Sequence, residues 1–365
     1  MSGTGPVGVG VIGAGNISDQ YLRTLTSLPD VQVLFVADLD EQRAAAQAEK
    51  YGVPGAGSAA ELLARHDIEI VVNLTIPAVH AEVGMRVLAA GKHVWSEKPL
   101  ALDRESGRAL LEEGKRRGLR VSCAPDTFLG PGLQTVRRRV DDGSIGVPLT
   151  ALTLFQTGGP ERWHPSPDFF YAPGGGPLFD MGPYYLTELI QVFGPVKSVY
   201  ALGSTSHETR TVGSGPRAGE SIPVAVPSHV SAMLEFESGA SAQCVFSFQS
   251  HLERTGFVEV AGTDGTVVSP DPNNFDGDVV VHSAAGDRTD RTTFSLWRGI
   301  GVLELARAIR ADRTERASGA QAFHVLDIMA SISDSVTQGA PVAVESTVER
   351  PDPLPEDWDP TAATL

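Results

Sequence analysis

Residues 9–18, VGVIGAGNIS, join a predicted strand to a predicted helix through a glycine-rich turn. An apolar, β-branched run ends in Gly13-x-Gly15, and a segment with the pattern of a helix follows it. The first glycine permits a tight turn, and the second lets the backbone approach a pyrophosphate, whose charge the helix N-terminus then meets. Ser18 stands where a third glycine is common, and it is small enough for close packing of helix on strand. The stretch therefore predicts a dinucleotide-binding turn, to which Asn16 and Ile17 also contribute.

Asp38 ends the second predicted strand, about 20 residues beyond Ser18. A carboxylate at this place can accept hydrogen bonds from the adenosine ribose, and it would repel a 2′-phosphate. The sequence therefore predicts NAD as the cofactor and disfavours NADP. Arg43 is the one nearby cation, and its helical spacing from Asp38 predicts that it points away.

The first third of the chain alternates between strand and helix patterns. Apolar strands separated by helices predict a parallel sheet covered on both faces, which is an α/β doubly wound Rossmann domain over residues 1–124. The predicted strands are 7–13, 31–38, 68–75, 92–97 and 120–125, and the predicted helices are 40–52, 78–91 and 104–118.

The pattern changes after residue 124. Alternating runs flank Ser238-Gly239 and Asp264-Gly265, as in antiparallel hairpins, and further strands are predicted at 148–156, 196–204 and 278–282. With helices at 133–143 and 297–338, residues 125–345 read as an α+β domain with a mostly antiparallel open sheet. Residues 346–365 form a Pro-rich acidic tail, predicted to be an extended arm or disordered.

Composition narrows the possible partners. The 365 residues carry a formal net charge of −16, which argues against nucleic acid and anionic membranes and leaves small molecules and other subunits. No apolar run approaches the roughly 20 residues of a spanning helix, and no basic region precedes the first apolar segment, so we expect a cytoplasmic protein. Nine histidines without metal-ligand spacing and two distant cysteines predict no metal site.

Five motifs occur in a familiar order: GVIGAGNIS, VADLD, NLTIPAVHAE, EKPLAL and GGGPLFDMGPYYL. Over Val7 to about Val344 the chain resembles the Gfo/Idh/MocA oxidoreductases, the family of glucose-fructose oxidoreductase and inositol dehydrogenase. The resemblance implies a Rossmann domain, NAD(P)-linked redox chemistry on sugars, cyclitols or related polyols, and a homodimer or homotetramer built through the C-terminal sheet. It also places Thr75, Pro77 and His80 along the nicotinamide end, with His80 as a packing or cofactor neighbour.

The EKPLAL motif follows a parallel strand, where the cofactor crevice of such a fold lies. Lys98 matches the family lysine that reaches the substrate hydroxyl and the cofactor. Glu97 is expected to bind the cofactor ribose or to orient that lysine. Without the resemblance, Glu97-Lys98 reads as a solvated ion pair.

The segment around Asp180 departs from the family pattern. The family commonly has Asp-x-Gly-x-His here, with the histidine as proton carrier, whereas this chain has Tyr184 at that position. Asp180 and Tyr184 fall one turn apart on one helix face, and Tyr185 lies on another. A phenol beside an ammonium group can transfer a proton, because the positive charge favours phenolate. The catalytic candidates are thus Lys98, Asp180 and Tyr184, and the alternative is that Tyr184 only lines the pocket.

The loop at 157–176 is rich in aromatic residues, which suit either a sugar ring or a subunit contact. Its candidate substrate residues are Trp163, His164 and Tyr171.

The leading hypothesis is an NAD-dependent dehydrogenase acting on a secondary alcohol of a sugar, glycoside or cyclitol. The alternatives are an NAD-dependent glycoside hydrolase that works by transient oxidation and elimination, and a cofactor-sensing regulator without turnover.

Overall fold

The computed structural model describes residues 4–365, which contain both helices and strands. The helices are α1 Ser18–Leu25, α2 Glu41–Tyr51, α3 Ala59–Ala64, α4 His80–Ala89, α5 Arg104–Arg117, α6 Pro131–Asp141, α7 Gly176–Phe193, α8 Ile300–Arg310 and α9 Gly319–Gln338. The strands are β1 Val7–Ile12, β2 Val31–Ala37, β3 Ala56–Gly57, β4 Ile70–Asn73, β5 His93–Ser96, β6 Val121–Cys123, β7 Pro148–Gln156, β8 Val196–Ser204, β9 Thr209–Thr211, β10 Ser221–Pro223, β11 His229–Phe236, β12 Ser241–Ser247, β13 Arg254–Gly262, β14 Gly265–Ser269, β15 Gly277–Ser283, β16 Arg288–Thr292 and β17 Val342–Ala343.

These residues fall into two compact units. The first comprises the described residues up to Leu129 together with Ser295–Phe323 and Leu354–Leu365. The second comprises Gly130–Phe294 and His324–Pro353. This grouping differs from the predicted ranges, in which residues 125–345 form one continuous domain.

The N-terminal unit contains a six-stranded parallel sheet in the order β3-β2-β1-β4-β5-β6. This is the strand order of a dinucleotide-binding doubly wound fold, so the predicted Rossmann domain is confirmed. Every residue of β1 and β4 is buried, as expected for strands with helices on both faces. The order reverses between β1 and β4, and ligands of such sheets bind at that point, beyond the carboxyl ends of the strands.

The local sequence explains where the helices of this unit begin and end. Asp40 caps α2 by accepting hydrogen bonds from the amides of Gln42 and Arg43. Asp103 caps α5 in the same way. Helices α2 and α5 end at glycines with φ near +67°, which are Gly52 and Gly118.

The C-terminal unit contains a nine-stranded sheet in the order β16-β15-β14-β13-β7-β12-β11-β8-β17. Only β7 and β12 pair in parallel, so the predicted mostly antiparallel sheet is confirmed. Helix α7 packs on β7, β11 and β12. The ring of Tyr185 on α7 makes edge contacts with Phe155 and Phe246, at centroid distances of 6.2 and 5.8 Å.

The helical segment predicted at 297–338 is two helices, α8 and α9. Between them Asp312 has a φ of +47°, and the amide of Arg313 donates to the carbonyl of Ala308, which ends α8. Helix α8 lies in the N-terminal unit, where it contacts α1.

The end of the predicted tail forms turns near residues 356–357 and 360–361 and makes several hydrogen bonds within the first unit. Arg307 donates to the carbonyls of Asp359 and Ala362 and pairs with the buried Asp30 at 2.8 Å. Asp30 also accepts from the amides of Thr364 and Leu365. The end of the chain is thus bonded to the buried Arg307–Asp30 ion pair.

Candidate active site

The glycine turn after β1 has the form that a dinucleotide requires. Gly13 has a φ of +106°, and a Cβ there would lie 2.6 Å from the carbonyl oxygen of Leu74, so only glycine fits. A Cβ on Gly15 would meet no atom within 4 Å. The protein's own packing therefore does not require a glycine at position 15, whereas the close approach of a pyrophosphate does. Helix α1 then begins without a side-chain cap, which suits an anion at its N-terminus.

Asp38 lies at the carboxyl end of β2 and has three hydrogen-bond donors. The amide of Ala14 donates to Oδ2 at 2.7 Å, and the amide of Asp40 donates to Oδ1 at 2.9 Å. The Arg43 guanidinium also donates to Oδ1, at 2.6 Å. Burial alone would raise the pKa of Asp38, but these bonds outweigh it and the pKa is lowered. A carboxylate with acceptor capacity left on Oδ2 fits a ribose hydroxyl.

The expectation that Arg43 points away from Asp38 is therefore wrong. Helical periodicity places its Cα correctly on α2, but the long side chain folds back over the first turn to reach the carboxylate. The ribose end of the site thus contains an ion pair and not an isolated anion.

The segment after β4 is organised by Asn73, which is fully buried. Its Oδ1 accepts from the Thr75 hydroxyl at 2.6 Å, and its Nδ2 donates to the carbonyl of His80. Thr75 and Pro77 are half-buried and keep their place as cofactor candidates. His80 differs, because it is only 1% exposed and its ring nitrogens lie 2.7 and 2.9 Å from the carbonyl oxygens of Pro99 and Thr75.

His80 thus fits the packing interpretation, because both of its ring nitrogens face protein carbonyls. Neither nitrogen is left for the direct cofactor contact that was the other prediction. Burial lowers its pKa, against the effect of the two carbonyls. The imidazole links the segment after β4 to the turn that carries Lys98.

Glu97 and Lys98 leave β5 on a turn that the protein holds from several sides. The Glu97 carboxylate is 8% exposed; its Oε1 accepts from the Tyr21 hydroxyl at 2.7 Å and its Oε2 from the Lys98 amide at 3.0 Å. The Glu97 amide donates to the carbonyl of Asn73 at 2.9 Å. These contacts support the role of orienting Lys98. Lys98 itself is half-buried.

Two residues near this turn escaped the sequence reasoning. Tyr21 is completely buried, and its position in the apolar stripe of α1 gave the only signal. Asp126, which follows β6, is also buried, and its Oδ2 accepts from the amides of Gly299 and Gly301. Burial raises the pKa of Asp126, and its Oδ1 has no hydrogen-bond partner among the described residues. The sequence signal that could have identified Asp126 is its place shortly after a predicted parallel strand.

In the C-terminal unit, α7 carries the second set of candidates. Tyr184 is 5% exposed and lies one helical turn after the half-buried Asp180. Tyr185 points elsewhere, and its hydroxyl oxygen accepts from the Gly256 amide at 2.8 Å. Glu188 continues the Asp180–Tyr184 stripe by a further turn and is 1% exposed, and sequence reasoning also missed it.

The loop at 157–176 separates the three substrate candidates. Trp163 is 66% exposed and makes an edge contact with His164, which is half-buried. Tyr171, in contrast, is fully buried and donates to Glu161, which Arg210 also binds at 2.9 Å. Because its side chain is fully buried under the loop, Tyr171 has no exposed group that could make the predicted substrate contact.

Two general features of the described chain bear on the site. No group of three or more histidine, cysteine, aspartate and glutamate side chains within residues 4–365 is arranged to hold a metal ion. In the same range, every helix is too short or too polar to cross a membrane.

Comparison with known proteins gives the family. A sequence model of the oxidoreductase family with an NAD-binding Rossmann fold matches residues 7–124, and one of the GFO/IDH/MocA C-terminal domain matches residues 133–268. Trans-1,2-dihydrobenzene-1,2-diol dehydrogenase of Bos taurus is 30% identical over 268 residues, which are 72% of this chain and 74% of the bovine protein. Inositol 2-dehydrogenase 3 of Saccharopolyspora erythraea is 33% identical over 161 residues, 43% of this chain and 48% of that protein.

Solved structures share the fold. An NAD binding oxidoreductase from Klebsiella pneumoniae has a TM-score of 0.82 at 22% identity, over 93% of this chain and 99% of that chain. Levoglucosan dehydrogenase in complex with NADH and levoglucosan has a TM-score of 0.80 at 22% identity, with the same coverage of 93% and 99%. The chain therefore belongs to the GFO/IDH/MocA family of oxidoreductases, and its first unit is an NAD-binding Rossmann domain.

Proposed function

We propose that this protein is an NAD-dependent dehydrogenase that acts on a secondary alcohol of a sugar, glycoside or cyclitol. The observation that carries the proposal is the turn after β5, where the buried Glu97 accepts one hydrogen bond on each carboxylate oxygen and thereby holds the backbone of Lys98. Two relatives are named for substrates with hydroxyl groups on a six-membered carbon ring, a dihydrodiol and inositol. A substrate of that chemical type agrees with the predicted polyol.

The cofactor is assigned to the turn and strand ends of the N-terminal unit. The pyrophosphate would lie at Gly13, Gly15, Asn16 and Ile17, and the adenosine ribose at Asp38. Thr75 and Pro77 would border the nicotinamide, and Glu97 would act indirectly through Lys98. Bound NAD supplies a nicotinamide ring that accepts or returns the hydride.

The remaining chemistry is the movement of one proton, because oxidation of an alcohol removes a hydride from carbon and a proton from oxygen. Lys98 would stabilise the alkoxide with its ammonium charge. Tyr184 would carry the hydroxyl proton away from the substrate and return it in the reverse direction. Asp180 would anchor a substrate hydroxyl, and Trp163 and His164 would offer aromatic faces to the ring.

The test is to incubate the protein with NAD and a panel of sugars, cyclitols, cyclic diols and glycosides. Net NADH formation supports the dehydrogenase, whereas aglycone release without net NADH would support the hydrolase and contradict the proposal.

Lys98→Ala should bind NAD within a few-fold of the parent, because Lys98 lies outside the pyrophosphate turn. Its turnover should fall by about 10²- to 10⁴-fold, the range for losing a positioned proton-transfer or charge-stabilising group. Unchanged turnover would contradict the catalytic role of Lys98 and with it the proposal.

A further inference from the structure

Tyr21 is a buried polar group to which the proposed chemistry assigns nothing. Its side chain is 0% exposed, and its hydroxyl donates to Glu97 Oε1 at 2.7 Å while it accepts from Trp95 Nε1 at 3.2 Å. Burial raises the pKa of the phenol well above its ordinary value, and the charges of Glu97 and Asp126 raise it further. Tyr21 is thus a neutral and permanent hydrogen-bond donor to the Glu97 carboxylate.

Glu97 connects Tyr21 to Lys98 through a second hydrogen bond. Its second oxygen accepts from the Lys98 amide at 3.0 Å, so the two carboxylate oxygens face α1 on one side and the Lys98 backbone on the other. A carboxylate that is 8% exposed needs such donors, because a buried charge without partners is strongly unfavourable. The orientation of the carboxylate is therefore fixed by both bonds together.

Helix α1 connects the Tyr21–Glu97 hydrogen bond to the glycine turn. The helix begins at Ser18, directly after the glycine turn, and Tyr21 is its fourth residue. Ser18 ties the helix to that turn, since its hydroxyl donates to the Gly15 carbonyl at 2.6 Å. One short helix thus connects the turn that would hold the pyrophosphate to the carboxylate that holds Lys98.

We propose that Tyr21 is a positioning residue for the reaction, which through Glu97 fixes the turn that carries Lys98 and couples it to the cofactor-binding helix α1. The inference rests on the proposed function, because that function gives Lys98 its catalytic role. A purely structural Tyr21 would stabilise the fold and leave the rate of the chemical step unchanged.

The experiment is a double-mutant cycle of Tyr21→Phe and Glu97→Gln, followed by kcat, KM, NAD affinity and thermal unfolding of the free protein. Tyr21→Phe should lower kcat by about tenfold or more, the size expected for a lost hydrogen bond to a charged group, with NAD affinity within a few-fold. If Tyr21 acts through Glu97, the double variant should have the kcat of Glu97→Gln within about twofold, because the effects of groups in contact do not add.

Tyr51→Phe is the matched control. The Tyr51 hydroxyl also donates to a carboxylate at 2.7 Å, but its acceptor is Asp19 on the outer side of α1. This variant should keep the kcat of the parent, and its effect on unfolding should add to that of Glu97→Gln. If Tyr21→Phe does not fold, Glu97→Asp, which keeps the charge but shortens its reach, should lower kcat in its place.

The outcomes separate the two proposals. A Tyr21→Phe protein with parental kcat and a lower unfolding temperature would overturn the positioning role and leave Lys98 untouched. Effects of Tyr21→Phe and Glu97→Gln that multiply in kcat would also overturn it, since Tyr21 would then not act through Glu97. Unchanged turnover in Lys98→Ala would instead defeat the proposed function, while the coupling in unfolding would still show that the contact exists.

Discussion

At the scale of single residues, the Asp38–Arg43 ion pair bears most directly on cofactor choice. A 2′-phosphate about 4 Å from Asp38 would be repelled by about 4 kcal/mol at an effective dielectric constant of about 20, before screening by solvent. Arg43, bonded to Asp38 at 2.6 Å and half exposed, reduces that repulsion. We expect NAD to bind at least about tenfold more tightly than NADP, because the Asp38 carboxylate can accept from the ribose hydroxyls of NAD and repels a 2′-phosphate.

Calorimetry with both nucleotides tests this expectation in two variants with opposite effects. Asp38→Ala should shrink the preference for NAD, since Arg43 is then free to meet the 2′-phosphate. Arg43→Ala should widen the preference, since the carboxylate keeps its charge and loses its counter-ion. Equal binding of NAD and NADP by the parent would contradict the assignment of Asp38.

Tyr184 is the residue at which this chain differs from the common family pattern. If its phenol carries the proton, Tyr184→Phe should lower turnover by at least about 10²-fold with the fold intact, because only the ionisable atom is removed. Tyr184→His should restore part of the activity. The limb of its pH profile that reports the proton acceptor should move to lower pH, because the ordinary pKa of imidazole, about 6.5, is below that of phenol, about 10. Parental turnover in the phenylalanine variant would make Lys98 the leading proton carrier.

The sequence predicted which residues are site candidates better than it predicted which side chains bond to one another. Gly13, Gly15 and Asp38 could be placed at the turn and at the strand end because strand, turn and helix fix their backbone positions. The bond of Arg43 to Asp38 and that of Tyr21 to Glu97 depend on where long side chains end. No periodicity encodes that, so these contacts could not be predicted.

At the scale of an element, α7 contains a carboxyl group that should make stability depend on pH. Burial raises the pKa of Glu188 to about 8, from an ordinary value of 4.5, and neither carboxyl oxygen has a hydrogen-bond partner among the described residues. The nearby Ser269 hydroxyl, although outside hydrogen-bond geometry, lowers this pKa, and the negative charge of Asp271 raises it by less. Below about pH 4.5 the carboxyl is protonated in both states. As the pH rises toward about 8, only the unfolded chain releases the proton, so the folded state loses relative stability.

Glu188→Gln removes this titration and keeps the shape of the neutral acid. Its stability relative to the parent should therefore increase by about 1.4 kcal/mol per pH unit across that window, measured as unfolding temperature against pH. Glu161→Gln is the control, since Glu161 is also buried but is bonded to Tyr171 and Arg210, and it should be less stable than the parent. A parallel pH dependence in Glu188→Gln and parent would show that Glu188 is ionised in the folded protein.

The strands that could be predicted are those with strong patterns. Apolar runs gave the buried strands of the parallel sheet, and Ser238-Gly239 gave the β11–β12 hairpin. The predicted set lacked β3, β9, β10 and β17, which have only two or three residues each and are too short for a period to show. Strand β16 was missed because Arg288–Thr292 is polar and carries no alternation of apolar residues.

At the scale of the whole molecule, we propose that the outer face of the nine-stranded sheet forms a contact with a second copy of this chain. Tyr200, Leu202 and Met233 are between 38 and 61% exposed, and Tyr200 lies directly opposite Met233 on the neighbouring strand. The alternate residues Ala201 and Ala232 are buried, so these side chains point away from α7. Exposed apolar side chains that lie together on one sheet face are typical of a protein interface.

Sedimentation velocity should therefore find the parent as a dimer or a larger oligomer. Met233→Glu should shift it toward monomer, because a charge in the centre of an apolar contact must be desolvated without a partner. Leu252→Glu is the matched control, since Leu252 is 60% exposed but lies in the loop after β12, outside the sheet, and it should leave the oligomer unchanged. A parent that stays monomeric at its highest soluble concentration would contradict the contact. Equal dissociation by both variants would place the interface elsewhere on the C-terminal unit.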